Sequence, residues 1–240
     1  MKKLNKLFTF ILDLLCPPTC PICHQEVEKV HTLCCSCYKR LNFITKPCCQ
    51  ICGRPFEYVS SDKLICGSCL KQKPPFQFAR SILEYDNFSK QLILSFKHGD
   101  RTNHIPLFLK FLNQIPSDLY KNVDFIIPIP IHWTRRLKRR YNQAGLLGYA
   151  LSKKIHIPFR TNILRRIKAT ASQGHLTPKE RERNIKNAFR VINSKAVQNK
   201  TILIIDDVFT TGLTVSVCSK ILRKAGAKEI RILTVYRVLK

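Results

Sequence analysis

Residues 202–214 read ILIIDDVFTTGLT. Ile202, Leu203, Ile204 and Ile205 form an unbroken aliphatic run. Such a run predicts a short strand covered on both faces, because a half-exposed strand would alternate apolar and polar residues. Asp206 and Asp207 follow at its C-terminal end, where ligands of parallel α/β sheets collect. Thr210, Thr211, Gly212 and Thr214 then make a turn of small residues leading into a helix. Backbone N–H groups, hydroxyls and a helix N-terminus suit a phosphate, and Gly212 lets the backbone approach closely. A carboxylate pair offers acceptors to two adjacent sugar hydroxyls. Together these residues describe a sugar phosphate lying across a strand end. A plain strand with one Asp as the helix N-cap would account for neither the second carboxylate nor the Thr-Thr-Gly turn.

Working outward, residues 214–225 predict a helix with Val215, Val217, Ile221 and Leu222 inward. Gly226 stops it, and 230–236 form a last strand. Upstream, 79–85 read as a strand and 88–97 as a helix with Leu92, Ile93 and Phe96 on one face. A turn at 97–100, a helix at 105–113, a strand at 123–130 ended by two prolines, and a helix at 142–154 complete the order. Strands alternating with helices predict a parallel-sheet α/β domain.

Two stretches of this domain are strongly basic. The first, HWTRRLKRRYNQAG at 132–145, follows a strand end and carries Arg135, Arg136, Arg139 and Arg140, whose planar forks clamp phosphate oxygens. The second spans 164–189. There Thr170, Ser172, Gln173 and His175 suit a mobile loop, and Thr177, Pro178 and Glu180 make a capping box that starts a helix. Such a flap could fold over a phosphate ligand to exclude water. His175 there could serve as an acid or base, although a lone loop histidine is more often only solvated.

The whole chain carries 42 Lys+Arg against 15 Asp+Glu, a net charge of +27, so polyanions are expected partners. Residues 132–190 hold 16 Lys/Arg against 2 Asp/Glu. With aromatic residues interleaved, this surface is the candidate for single-stranded nucleic acid, on which bases stack. It comprises Trp133, Arg139, Arg140, Tyr141, Arg165, Arg166, Lys168 and Arg181. A core position for Trp133 explains that residue equally well.

Eleven of the twelve cysteines precede Pro74, most of them in CxxC pairs. Each pair is a knuckle that puts two thiolates on one tetrahedral metal, and two knuckles complete a four-cysteine site. Sequential pairing gives one site from Cys20, Cys23, Cys34 and Cys37 and another from Cys49, Cys52, Cys66 and Cys69. Cross-braced pairing would use the same eight residues. Cys16, Cys35 and Cys48 are spare, with Cys48 a rival to Cys49. Structural zinc, which would supply folding energy to a segment poor in large apolar residues, is favoured over disulfides or an iron–sulfur cluster. Gly53 and Gly67 are expected to serve the knuckle turns. The opening MKKLNKLFTFILDLLC has a charged interruption at Asp13, no small-residue cleavage site and too short an apolar run to span a bilayer. Leu4, Leu7, Phe8, Ile11, Leu12 and Leu15 fall instead at helical spacing. The expected organisation is an amphipathic helix (1–17), a double zinc ribbon (18–73) and an α/β domain (74–240), with a linker around Pro74 and Pro75.

The 13-residue stretch at 202–214 resembles the phosphoribosyl-pyrophosphate (PRPP) signature of type I phosphoribosyltransferases. That resemblance implies that Asp206 and Asp207 hold the ribose hydroxyls, that Thr210, Thr211, Gly212 and Thr214 bind the 5-phosphate, and that the segment from Pro130 through His132 to Trp133, with the nearby arginines, binds pyrophosphate. Taken in order, the zinc ribbons, linker, Tyr85, Phe96-Lys97, Pro128, Arg140-Tyr141-Asn142-Gln143, Gln173, Arg181, Asn184, Ala188-Phe189 and the signature resemble the ComF family of competence proteins. The family likeness implies a cytoplasmic protein that handles incoming single-stranded DNA during natural transformation, two structural Zn2+, and a PRPP–Mg2+ pocket. DNA-import helicase or channel proteins are the implied partners, and the amphipathic helix allows peripheral attachment at the inner face of the cytoplasmic membrane. Two alternatives stand beside it: a phosphoribosyltransferase acting on a base or amine, and a non-catalytic sensor gated by PRPP or a nucleotide.

Overall fold

The computed structural model describes residues 17–58, 64–98, 104–132, 134, 141–168, 185 and 187–239. These form α1 (Cys35–Lys39), α2 (Gly67–Lys71), β1 (Phe78–Glu84), α3 (Lys90–His98), α4 (Ile105–Phe111), β2 (Phe125–Pro128), α5 (Gln143–Ile155), β3 (Leu164–Arg166), β4 (Phe189–Val191), β5 (Thr201–Phe209), α6 (Leu213–Lys224) and β6 (Glu229–Arg237). The helix expected over 1–17 lies outside these residues save for Pro17. So do Trp133, Arg135, Arg136, Arg139 and Arg140, and residues 169–184 of the flap expected over 164–189, with His175 and Arg181.

β1, β6, β5 and β2 hydrogen-bond in that order into one parallel sheet, the α/β arrangement expected from the sequence. β5 shows why its residues are apolar without alternation. Leu203 and Ile205 face a core built with Leu92, Ile93, Phe108, Leu147 and Leu151 of α3, α4 and α5. Ile202 and Ile204 face a second core, with Val215, Cys218 and Leu222 of α6 and with Leu164 and Phe189. All four are fully buried, and each contributes about 1.5–3 kcal/mol of apolar burial. No helix among the described residues is long and apolar enough to cross a membrane.

Two departures from the sequence reading have local causes. β5 does not end before the acids but runs through Asp206 and Asp207 to Phe209, because its backbone ladder to β6 continues past them: Asp206 lies opposite Thr234 and Phe209 opposite Arg237. The ladder uses N–H and C=O groups and tolerates charged side chains where the sheet edge opens to solvent. Within the basic stretch, β3 and β4 pair antiparallel, with Arg165 opposite Arg190. Strands of three residues span barely one period of alternation, so the pattern is hidden by the charge around it.

The cysteine-rich segment is bonded into the sheet edge. Ile44 N–H donates to Ile82 O at 2.9 Å, Glu84 N–H to Asn42 O at 2.8 Å and Ala79 N–H to Ile51 O at 2.7 Å. The Phe43 ring sits 5.2 Å from both Tyr38 and Phe111, tying the segment to α4. Gly53 is needed twice over, since its φ is +72° and a Cβ there would stand 2.6 Å from Ala79 O. Gly67, expected to serve a turn in the same way, instead opens α2 without a positive φ, and a Cβ there meets nothing within 4 Å. Gly53→Ala should therefore destabilise the protein by roughly 1–3 kcal/mol, whereas Gly67→Ala should stay within about 0.5 kcal/mol of the parent. Urea unfolding of the two variants checks the contrast.

Candidate functional site

The thiols gather into two groups, Cys20, Cys23, Cys34 and Cys37, and Cys49, Cys52, Cys66 and Cys69, and within each group every sulfur lies within 4.8 Å of the others. This is the sequential pairing. The Cys23–Cys34 and Cys52–Cys66 sulfurs are 3.5 and 3.6 Å apart. A disulfide needs about 2.05 Å, while four sulfurs placed at about 2.3 Å around zinc stand about 3.8 Å from one another. The geometry fits a tetrahedral metal, and these eight residues would hold it. Cys35 and Cys48 belong to neither group.

Local backbone prepares the thiolates. Cys49 Sγ accepts from Cys52 N–H at 3.5 Å and from Cys66 N–H at 3.4 Å, and Cys34 Sγ accepts from Cys37 N–H at 3.4 Å. Burial opposes ionisation of Cys20 and Cys49, but neighbouring N–H groups outweigh it and bring each thiol down to about 7. Burial, reinforced by neighbouring thiols, pushes Cys37 and Cys69 the other way. Four sulfurs at this spacing cannot all carry charge alone, and a dication resolves the conflict.

Beyond the sheet edge, β5 delivers the acid pair and the Thr-Thr-Gly turn. Asp206 and Asp207 are half-buried, with Asp207 N–H donating to Asp206 Oδ1 at 2.9 Å. Thr210 and Thr211 are exposed. Gly212 is the N-cap of α6 at φ 74°, and the absence of a side chain there is enforced by Phe209, whose Cζ would be 2.5 Å from an added Cβ. Leu213 N–H donates to Thr211 Oγ1 at 3.4 Å, while Ser216 N–H closes the first helical turn on Gly212 O at 2.9 Å. Thr214 is half-buried in that first turn. Cys218 of α6 is fully buried, and its thiol is pushed up by that burial and by Asp206, with Arg166 acting against the rise.

The basic candidates divide. Arg165 and Lys168 are exposed, whereas Arg166 is buried, its guanidinium 5.2 Å from the centre of the Phe189 ring. Tyr141 is half-buried and packs against the core beneath α5. His132 is buried, its Nδ1 2.9 Å from Thr134 Oγ1. Asn142 Nδ2 donates to Ile129 O at 3.0 Å and joins the end of β2 to the start of α5.

Arg237 went unrecognised in the sequence, where the only signal was a cation in an apolar strand. Its Nη1 donates to Cys52 O at 2.6 Å, its Nη2 lies 3.4 Å from Cys52 Sγ, and its guanidinium stacks 4.4 Å over the Phe209 ring. It thus touches the second thiolate group on one side and, through Phe209, the Thr-Thr-Gly turn on the other. Burial raises the Cys52 thiol and Arg237 pulls it back down.

Purified protein should carry two zinc ions per chain. Cys49→Ser should lower the content to one, whereas Cys48→Ser should keep both, because only the Cys49 sulfur lies in a four-thiol group. Elemental analysis of the two variants measures this.

Family models match along the chain: a double zinc ribbon domain over residues 11–71 and a phosphoribosyl transferase domain over 144–240. Competence protein F of Haemophilus influenzae is 36% identical over 206 residues, covering 83% of this chain and 88% of that protein. DNA utilization protein YhgH of Escherichia coli K12 is 31% identical over 231 residues, covering 94% of this chain and 100% of that protein. Competence protein ComFC of Bacillus subtilis is 27% identical over 219 residues, covering 88% of this chain and 85% of that protein. Matches of this extent run through the thiolate groups, the parallel sheet and the Thr-Thr-Gly turn alike, and the chain belongs to the ComF family of competence proteins.

Proposed function

We propose that this protein handles single-stranded DNA in natural competence and that a phosphoribosyl compound bound at the turn after β5 modulates that binding. The observation that carries the reading is an acid pair and a Thr-Thr-Gly turn at the end of the central strand of a chain with net charge +27. In this reading Asp206 and Asp207 accept hydrogen bonds from the ribose hydroxyls. Thr210, Thr211, Gly212 and Thr214 hold the 5-phosphate with backbone N–H groups and hydroxyls. PRPP would bring Mg2+, and His132 with Arg135, Arg136, Arg139 and Arg140 would face its pyrophosphate. Arg165 and Lys168, both exposed, extend the basic surface available to a strand. The relatives are named for competence and DNA utilization, which agrees with this role. Work on the cytoplasmic side of the membrane, beside the import machinery, completes the reading.

A second reading is phosphoribosyl transfer from PRPP to a base or amine, which the acid pair favours, since DNA binding alone needs no carboxylates.

Fluorescence anisotropy of an oligothymidylate over a salt series, with and without PRPP–Mg2+, tests both. The expected result is salt-sensitive binding whose Kd changes by about fivefold or more with PRPP–Mg2+. Asp206→Asn/Asp207→Asn should abolish the change and leave DNA binding in place. A wild-type protein that ignores the oligonucleotide at low salt would sink the first reading. Pyrophosphate release from PRPP on adding a nucleobase or amine would establish the second.

A further inference from the structure

α5 and the chain that follows it along the β2 edge of the sheet form a surface that neither the thiolate groups nor the turn after β5 uses. No Asp or Glu occurs between Asp124 and Glu180. Asp124 itself is paired with Lys200, whose Nζ lies 2.8 Å from its Oδ1. Within residues 141–168, Lys153, Lys154, Arg160, Arg165 and Lys168 are exposed, and only Arg166 is buried. Tyr149 stands in the middle of α5 with 53% of its surface exposed. Leu147 and Leu151 on either side of it are buried in the larger core, so the helix fixes the direction of the ring. Phe159 braces that ring, with centroids 6.1 Å apart and planes at 67°. Gly148 makes the brace possible, because a Cβ there would stand 2.8 Å from Phe159 Cε2. Phe159 is held in turn by the sheet: Ile126 N–H donates to Pro158 O at 2.8 Å, and Arg160 N–H to Ile126 O at 2.9 Å.

We propose that Tyr149 is a stacking platform for a base of single-stranded DNA, with Lys153 and Arg160 on the flanking phosphates. Three observations carry the assignment. The ring is exposed yet braced, so a base gains a π-face while little side-chain freedom is lost on binding. Cations are built in beside it: Lys153 Nζ lies 5.5 Å from the centre of the Tyr149 ring, and the Arg160 guanidinium is positioned 4.8 Å over Phe125. The long stretch without acids removes the repulsion that a polyanion would otherwise meet. The other exposed tyrosines fit less well. Tyr38 packs on Phe43 and Phe111, and Tyr58 follows Glu57 outside the acid-free stretch. Tyr141, expected from the sequence to stack on bases, packs against the core instead.

The partner is single-stranded because the faces of paired, stacked bases in a duplex are closed to an aromatic ring. This surface rests on the DNA-handling function proposed above and gives it a place, the β2 edge rather than the turn after β5. A strand seated there leaves Asp206, Asp207 and the Thr-Thr-Gly turn free for a second ligand.

The test measures oligothymidylate affinity by fluorescence anisotropy for the full chain and four variants, with thermal unfolding to report an intact fold. Tyr149→Leu keeps an apolar side chain against Phe159 but removes the π-face, and affinity should fall about tenfold. Tyr149→Phe keeps the ring and should stay within about twofold of wild type. Tyr58→Leu removes an exposed tyrosine outside this surface and should bind as wild type does. In Lys153→Gln/Arg160→Gln the slope of log K against log salt should become shallower by about 1.4, two contacts at about 0.7 each. Wild-type affinity in Tyr149→Leu, an equal loss in Tyr58→Leu, or an equal loss when the probe is a duplex of the same length would overturn the proposal. The two failures are distinguishable. A wild-type protein that binds no oligothymidylate removes the function proposed above together with this surface, whereas one that binds it regardless of Tyr149 removes this surface alone.

Discussion

Burial of β5 on both faces is the constraint on which the rest of the molecule depends. Its aliphatic residues are shared between two cores, so neither face can be released without exposing an apolar layer. The strand is also hydrogen-bonded on both edges, to β2 and β6. A strand held this firmly places its C-terminal residues with little freedom. That rigidity turns Asp206, Asp207 and the residues after Phe209 into a positioned group rather than a floppy loop. Gly212 then sets the entry angle of α6, because the Phe209 ring occupies the space where any other side chain would begin.

The cysteine-rich segment belongs to the same mechanical unit. Its backbone bonds to β1, its Phe43 packs on α4, and Leu41 is buried in the larger core. Arg237 completes the connection by contacting a thiolate-bearing residue and stacking on the ring that backs the Thr-Thr-Gly turn. A metal at Cys49, Cys52, Cys66 and Cys69 therefore helps fix the ground beneath that turn. The same guanidinium offsets negative charge on the thiolates, which lowers the electrostatic penalty of gathering four sulfurs in a buried place.

Legibility in the sequence followed the range of the interactions involved. β5, the turn and α6 could be read because their evidence is local: an aliphatic run, two acids, a glycine turn and a helical stripe. The two thiolate groups were equally plain from the CxxC spacing, and the structure selects sequential over cross-braced pairing. The β3–β4 hairpin escaped because Arg165 and Arg190 punctuate strands too short to show a period. Arg237 escaped because its partner, Cys52, is 185 residues away, and nothing within reach of a local pattern reports such a contact. Gly67 misled for a related reason: a glycine beside a cysteine looks like a turn residue, although here it merely begins a helix.

The placement of β6 between β1 and β5 bears on how the chain is made. All eight grouped cysteines precede residue 70, so metal can be captured while most of the sheet is still unsynthesised. β1, which receives the cysteine-rich segment along its length, finds its parallel sheet neighbour only in β6. That neighbour emerges after every other described element. Until then β1 presents unpaired backbone, the kind of edge that recruits foreign strands, and contacts of such long sequence separation form slowly. β6 is thus a latch: it closes a bare edge at the moment it brings Arg237 to the metal site, so completion of the fold and completion of the site are one event.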